Sequence, residues 1–201
     1  MHRAHEKNAE FLSPLSGINR NIYLVGMMGA GKTSIGRLLS KRSRRRFYDS
    51  DHVIEERTGV TIPTIFDLEG EQSFRDREEA VIAELARLSN IVLATGGGAV
   101  LRENNRQALC SSGIIVYLRG SVEDLWRRTR KDKNRPLLLT DNPRQKLAEI
   151  YSVRDPIYSS VADIIIETGN PSIQSLEQDV EARLIEYAER MSNIDHEKKE
   201  L

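Results

Sequence analysis

Eight consecutive residues, Gly26, Met27, Met28, Gly29, Ala30, Gly31, Lys32 and Thr33, constrain this chain more than any other stretch. They fit G-x-x-x-x-G-K-[ST], the phosphate-binding loop. Glycines let the backbone curl so that successive N–H groups point inward as an anion-binding nest. Lys32 adds a positive charge for the outer phosphates, and Thr33 offers a hydroxyl to Mg²⁺. A helix that begins at the loop directs its positive dipole end at the same anion. The flanks agree. Residues 21–25 are apolar and β-prone, and residues 34–40 carry apolar side chains at helical spacing. Strand, loop and helix in that order make a nucleoside triphosphate the expected ligand.

Further apolar runs alternate with helical segments. Strands are predicted at residues 22–25, 47–48, 91–94, 114–118 and 163–166. Helices are predicted at 33–43, 51–58, 71–87, 102–108, 122–130, 143–160 and 172–191. The runs IVLA, IIVYL and DIII are apolar on consecutive positions, as strands buried on both faces are. The alternation predicts an open α/β fold with five parallel strands. Length bounds the chain of 201 residues to one domain. Residues 20–191 are read as that domain, 1–19 as a disordered polar extension and 192–201 as a charged tail that frays.

Composition removes several classes. No apolar run approaches a membrane span. Thirty basic residues balance 30 acidic ones, so a global nucleic-acid footprint is not expected. The basic run Lys41, Arg42, Arg44, Arg45, Arg46 reads as the solvated end of the first helix, where cations complement the dipole. A nucleic-acid-binding NTPase is the reading it competes with. The single cysteine, Cys110, excludes an intrachain disulfide and fits a reducing, cytoplasmic compartment. It reads as an inert packed thiol. Three of the four histidines lie in the polar ends, so neither a zinc site nor a Ser–His–Asp site is expected.

Ligands of open α/β sheets collect at the carboxyl ends of the strands. The second strand delivers Asp49, Ser50 and Asp51 there. The third delivers Gly96, Gly97 and Gly98 rather than an acid, so the metal-side carboxylate should come from Asp49 or Asp51. Their alternation along the chain implies that the two face different ways, one toward Mg²⁺ and the other toward a second substrate. A helix cap with a first-turn acid is the bland alternative. Three glycines after a buried strand suit a loop whose amides touch a ligand. Glu78 lies three residues after Arg75 on a helix and can orient it. Arg135, before Pro136, sits on a loop suited to close over a triphosphate. Arg154 lies on the following helix.

Together these motifs, GMMGAGKT, DSD, FRDRE, TGGG, RPLL and YxxRxxxY, resemble the shikimate kinase family in residues and order, over about residues 21–191. The resemblance implies a three-layer α/β/α P-loop kinase of the nucleoside monophosphate kinase type, with a mobile lid at about 130–141. It implies transfer of the γ-phosphoryl group of ATP to the 3-hydroxyl of shikimate, in the route to chorismate and the aromatic amino acids. By this resemblance Gly29, Ala30, Gly31, Lys32, Thr33 and Ser34 hold ATP phosphates, and Arg128 and Pro171 flank adenine. Thr33 and Asp49 serve one Mg²⁺ per subunit, Asp49 from its outer shell. Asp51 binds acceptor hydroxyls and is the candidate base, with Lys32 and Arg135 assisting transfer. Arg75, Arg154 and the amides of Gly96, Gly97 and Gly98 hold shikimate. A monomer with small-molecule substrates, and no nucleic-acid or membrane partner, is expected. Gluconate and nucleoside monophosphate kinases are the nearest alternatives, and the two arginines with the triple glycine argue against them.

Overall fold

The computed structural model describes residues 14–132, 135–169 and 172–197. Five parallel strands form one sheet in the order β2-β3-β1-β4-β5. These are β1 (Asn21–Val25), β2 (Arg46–Asp49), β3 (Ile91–Ala94), β4 (Gly113–Arg119) and β5 (Ile164–Glu167). β1 lies at the centre, with Leu24 level with Ala94 of β3 and with Val116 of β4. Every residue of β1 and β3 is buried. Helices cover both faces, which is why these strands are apolar at consecutive positions rather than alternately.

The helices are α1 (Lys32–Ser43), α2 (Ser50–Thr58), α3 (Ile62–Leu85), α4 (Glu103–Ser112), α5 (Val122–Thr129), α6 (Pro143–Val161) and α7 (Ile173–Glu197). Each predicted strand and helix appears, with ends shifted by a few residues. Two differences are larger. α3 begins at Ile62 rather than 71. Gly70 takes φ 81° and ψ 172° inside it, so two helical pieces meet at a bend. Phe66 and Phe74 pack across that bend with ring centroids 5.0 Å apart. α7 continues to Glu197, past the expected start of a fraying tail.

The expected boundary at residue 20 is also corrected. Pro14–Gly17 is a 3-10 turn, and Leu15 and Ile18 are 0% and 6% exposed. The packed body therefore includes the end of the predicted extension. Burying a leucine stabilises a fold by about 1.5–3 kcal/mol, enough to hold a short segment down. The basic run helps to fix it. Arg45 is buried and donates to the carbonyls of Ile18 and of Arg20, the latter at 2.7 Å. Arg42 pairs with Glu177 and Glu181 of α7, at 3.1 and 2.8 Å. The run is thus partly internal structure rather than a fully solvated helix end. Cys110 departs from expectation too. It is exposed, because Leu109 takes the core position on that turn of α4.

Candidate active site

The site forms at the carboxyl ends of β1, β2 and β3. The phosphate-binding loop leaves β1 and enters α1 through Gly31, whose φ of 95° a side chain rarely adopts. The loop closes on itself through a bond from the Ala30 N–H to the Met27 carbonyl, 3.2 Å. Lys32 is buried and folds over the loop, its Nζ donating to the carbonyls of Gly26 (2.7 Å) and Met27 (2.9 Å). Burial pushes its ammonium down to about 8, while Asp51 and Asp49 oppose the shift. A cation held this way is ready to meet an anion from inside the loop.

Asp49 ends β2 and caps α2. Its Oδ1 accepts from the N–H groups of Asp51 (3.1 Å) and His52 (3.4 Å). Its Oδ2 accepts from the Thr33 hydroxyl at 2.7 Å. One carboxylate thus ties a helix N-terminus to the phosphate loop. The capping alternative holds for Asp49, and Asp51 is the first-turn acid. Residues two apart in a strand point to one face, so the spacing gives no reason for the pair to face apart. Both aspartates line the same two cavities, contrary to the expectation that they face apart.

Asp51 is a strongly perturbed carboxyl of the site. Burial raises it to about 7, Glu78 and Asp49 add to the rise, and Lys32 and Arg135 oppose it. Its Oδ1 and the Oε1 of Glu78 are both enclosed, and neither has a hydrogen-bond partner among the described residues. The two oxygens converge on one point. A Cβ added to Gly96 would lie 2.5 Å from Asp51 Oδ1 and closer still to Glu78 Oε1. Only glycine fits there. Gly96 itself is fixed by its N–H, which donates to Ser50 Oγ at 2.8 Å. Ser50 is fully buried and was not singled out in the sequence. A small hydroxyl between two aspartates was the available sign.

Arg75 lies against the same loop, and a Cβ on Gly98 would overlap its guanidinium. Glu78 Oε2 accepts from its Nη1 at 2.7 Å, and Glu71 accepts from its Nη2 at 2.8 Å. The expected Arg75–Glu78 pairing is present and buried. Burial disfavours the Arg75 charge, but its two glutamates outweigh that and hold its pKa above the ordinary value. Arg154, 5% exposed, has its pKa lowered by burial and, further, by the nearby Arg75. Two buried guanidiniums facing one cavity favour an anion with planar oxygens.

Asp49, Asp51, Arg75, Gly96, Gly97, Gly98, Arg135 and Arg154 all line a cavity of about 550 Å³. Phe66, Phe74, Ile62 and Pro136 form its apolar wall. The first half of α3 supplies much of that wall, so the sequence reading missed it along with the helix. A second cavity of about 220 Å³ is lined by Gly29, Gly31, Lys32, Thr33 and Ser34. Thr33, Asp49, Asp51 and Arg135 line both. The two cavities therefore meet at two carboxylates and a guanidinium. Ala30 is buried behind the loop.

Arg135 is oriented by Asp132, whose Oδ2 accepts from its Nε at 2.9 Å. Arg128 donates to the carbonyls of Gly29 (3.2 Å), Thr168 (2.6 Å) and Gly169 (2.6 Å). It joins the phosphate loop to the segment after β5. Pro171 lies outside the described residues. Among the described residues no cluster of three or more histidine, cysteine, aspartate or glutamate side chains could hold a metal ion, and no helix is long and apolar enough to cross a membrane.

The family model described as shikimate kinase matches residues 28–186. A shikimate kinase of Burkholderia lata is 59% identical over 156 residues, covering 78% of this chain and 85% of that protein. One from Thiobacillus denitrificans is 61% identical with the same coverage. Among solved structures, a shikimate kinase from Acinetobacter baumannii in complex with shikimate superposes with a TM-score of 0.81. It is 50% identical and covers 84% of this chain and 94% of its own. A gluconokinase from Sinorhizobium meliloti, 16% identical with a TM-score of 0.54 over 87% of this chain and 96% of its own, shares the fold.

Proposed function

This chain belongs to the shikimate kinase family of ATP-dependent kinases, and on that premise we propose how its residues divide the reaction. The enzyme transfers the γ-phosphoryl group of ATP to the 3-hydroxyl of shikimate, giving shikimate 3-phosphate and ADP. One observation carries the division of roles: the phosphate cavity and the arginine-lined cavity share Thr33, Asp49, Asp51 and Arg135. An acceptor in one then stands next to a phosphate in the other.

The loop amides from Gly29 to Ser34 and the Lys32 ammonium hold the β- and γ-phosphates. Arg75 and Arg154 hold the shikimate carboxylate, with the amides of Gly96, Gly97 and Gly98 along the same wall. Asp51 faces the hydroxyls. In the transfer, the 3-hydroxyl oxygen bonds to the γ-phosphorus as the bond from phosphorus to the ADP oxygen breaks. The hydroxyl proton passes to the Asp51 carboxylate. A carboxyl held near 7 accepts a proton at neutral pH far better than an ordinary aspartate. Arg135 and Lys32 offset the charge that gathers on the transferring oxygens. Arg135 reaches the phosphates from the lid segment, whose closure excludes water as a rival acceptor. Arg128 and the segment to Pro171 flank adenine.

The residues present fit one Mg²⁺. The Thr33 hydroxyl and Asp49 Oδ2 are hard oxygen donors 2.7 Å apart at the edge of the phosphate cavity. Mg²⁺ is usually held by one or two such groups plus substrate phosphates and waters. When bound, it neutralises phosphate charge. Balanced charge speaks against a nucleic-acid partner, and the proposed setting is a cytoplasmic monomer that works on small molecules without a membrane partner. Phosphorus NMR of the product tests the regiochemistry. The new phosphorus should couple to the proton on carbon 3 of shikimate. Coupling to the proton of another carbinol would overturn the assignment of Asp51 to the 3-hydroxyl.

A further inference from the structure

The Tyr158 phenol has no part in the roles above, yet it touches three pieces of the site. Tyr158 is 0% exposed and lies one helical turn after Arg154 on α6. Its hydroxyl donates to the carbonyl of Gly97 and lies 3.9 Å from the sulfur of Met27 in the phosphate loop. The Arg154 guanidinium lies beside the same hydroxyl, whose oxygen can accept from it. Its ring stacks on Tyr117 with centroids 4.9 Å apart, and the Tyr117 phenol is anchored on Asp155 at 2.7 Å. The Tyr117 ring, not its hydroxyl, thereby packs the Tyr158 ring from behind.

We infer that Tyr158 is a positioning residue for the acceptor, aiming both the Arg154 guanidinium and the Gly97–Gly98 peptide at the shikimate carboxylate side of the cavity. The peptide unit is planar, so the Gly97 carbonyl and the Gly98 N–H point in opposite directions. Pinning the carbonyl on Tyr158 therefore fixes the direction of the Gly98 donor. Gly97 needs such a pin. Its position is set between the phosphate loop and Arg154, since a Cβ on it would lie 3.5 Å from the Met28 nitrogen and 3.6 Å from Arg154 Nη1. Two glycines side by side are otherwise free to rotate the peptide between them. Arg154 gains from the same contact. It is buried beside a like charge, Arg75, and the phenol oxygen next to it favours one orientation of the guanidinium.

The inference rests on the reading of Arg154 and the glycine loop as the shikimate clamp, and its test separates the two. Tyr158→Phe keeps the ring and removes both the bond to Gly97 and the oxygen that faces Arg154. The KM for shikimate should rise about tenfold, the scale of losing a hydrogen bond to a charged group. The KM for ATP should stay within about twofold and kcat should fall less than the shikimate KM rises. Tyr117→Phe removes a phenol from the same stack without touching the clamp, and should leave the shikimate KM unchanged. Combining Tyr158→Phe with Arg154→Lys should cost less than the product of the single effects, because the phenol acts partly through Arg154. If Arg154→Lys leaves the shikimate KM unchanged, the clamp reading itself fails. If Arg154→Lys raises it and a folded Tyr158→Phe does not, or raises both KM values equally, only the role of Tyr158 is overturned. Should Tyr158→Phe not fold, 3,5-difluorotyrosine at 158 keeps the shape and makes the phenol much more acidic. The charged groups facing it are Arg154 on α6 and Glu78 and Arg75 on α3. The shikimate KM should then gain an alkaline inflection that the wild type lacks, and an unchanged profile overturns the inference.

Discussion

Replacing Asp51 with asparagine should make the protein more stable and nearly inactive at once. The carboxyl is raised from 3.8 to about 7 by burial and by Glu78 and Asp49. A folded state that binds the proton more tightly than the unfolded chain is penalised when that proton leaves. Below about pH 4 the carboxyl is protonated in both states and there is no penalty. The penalty grows as pH rises toward 7 and is complete above it. The full displacement corresponds to on the order of 4 kcal/mol. Asp51 keeps partial access to the cavity, and screening there reduces the expected gain to about 1–3 kcal/mol. Denaturant melts of Asp51→Asn and the wild type at pH 8 should differ by that amount in favour of the variant, and converge near pH 4. The same substitution removes the proton acceptor, so kcat should fall by about a hundredfold or more. For the wild type, kcat/KM for shikimate should drop about tenfold per pH unit below about 7. A variant less stable than the wild type at pH 8, or an acid limb centred near 4, would refute the reasoning.

Three further outcomes follow from named contacts. Arg154→Lys replaces a planar fork with a point charge; the shikimate KM should rise about tenfold or more while the ATP KM stays within about twofold, by steady-state kinetics with each substrate varied. Gly96→Ala drives a methyl into Asp51 and Glu78; overpacking of this kind costs about 1–3 kcal/mol, and kcat/KM for shikimate should fall more than about tenfold, where wild-type activity would show that the carboxylates do not converge on Gly96. Asp49→Asn preserves the cap, since asparagine caps as well as aspartate; melting should change little while the Mg²⁺ concentration for half-maximal rate rises about tenfold, and an unchanged Mg²⁺ requirement would remove Asp49 from the metal site.

The parallel sheet was legible because its central strands are apolar at every position, a pattern that only double-sided cover explains. The phosphate loop was legible because its glycines and Lys32 have few other uses at that spacing. What escaped notice depended on contacts between distant segments. Gly70 interrupts the helical pattern of α3, so residues 62–69 carried too short a period to stand out. Yet they bring Ile62 and Phe66 to the acceptor cavity. Ser50 and Glu78 converge on Gly96 from separate helices, a meeting that no local spacing records. The pair Asp49 and Asp51 misled in one respect. Residues two apart in a strand share a face, and the turn into α2 after Asp49 leaves both carboxyls on the same two cavities. Leu15 and Ile18 looked like part of a polar extension because two apolar residues make no pattern; they are buried in a core built from distant segments, and Arg45 reaches back to the Ile18 carbonyl from beyond α1.

The central claim is that a triphosphate bound by Lys32 meets an acceptor selected by two buried arginines and Asp51. ADP release from Mg²⁺-ATP, followed in a coupled assay with shikimate, gluconate or a nucleoside monophosphate as the only added acceptor, tests it most directly. ADP should appear rapidly with shikimate and at background rates with the others. Turnover that is as fast with gluconate or a nucleoside monophosphate, or that needs no acceptor, would contradict it.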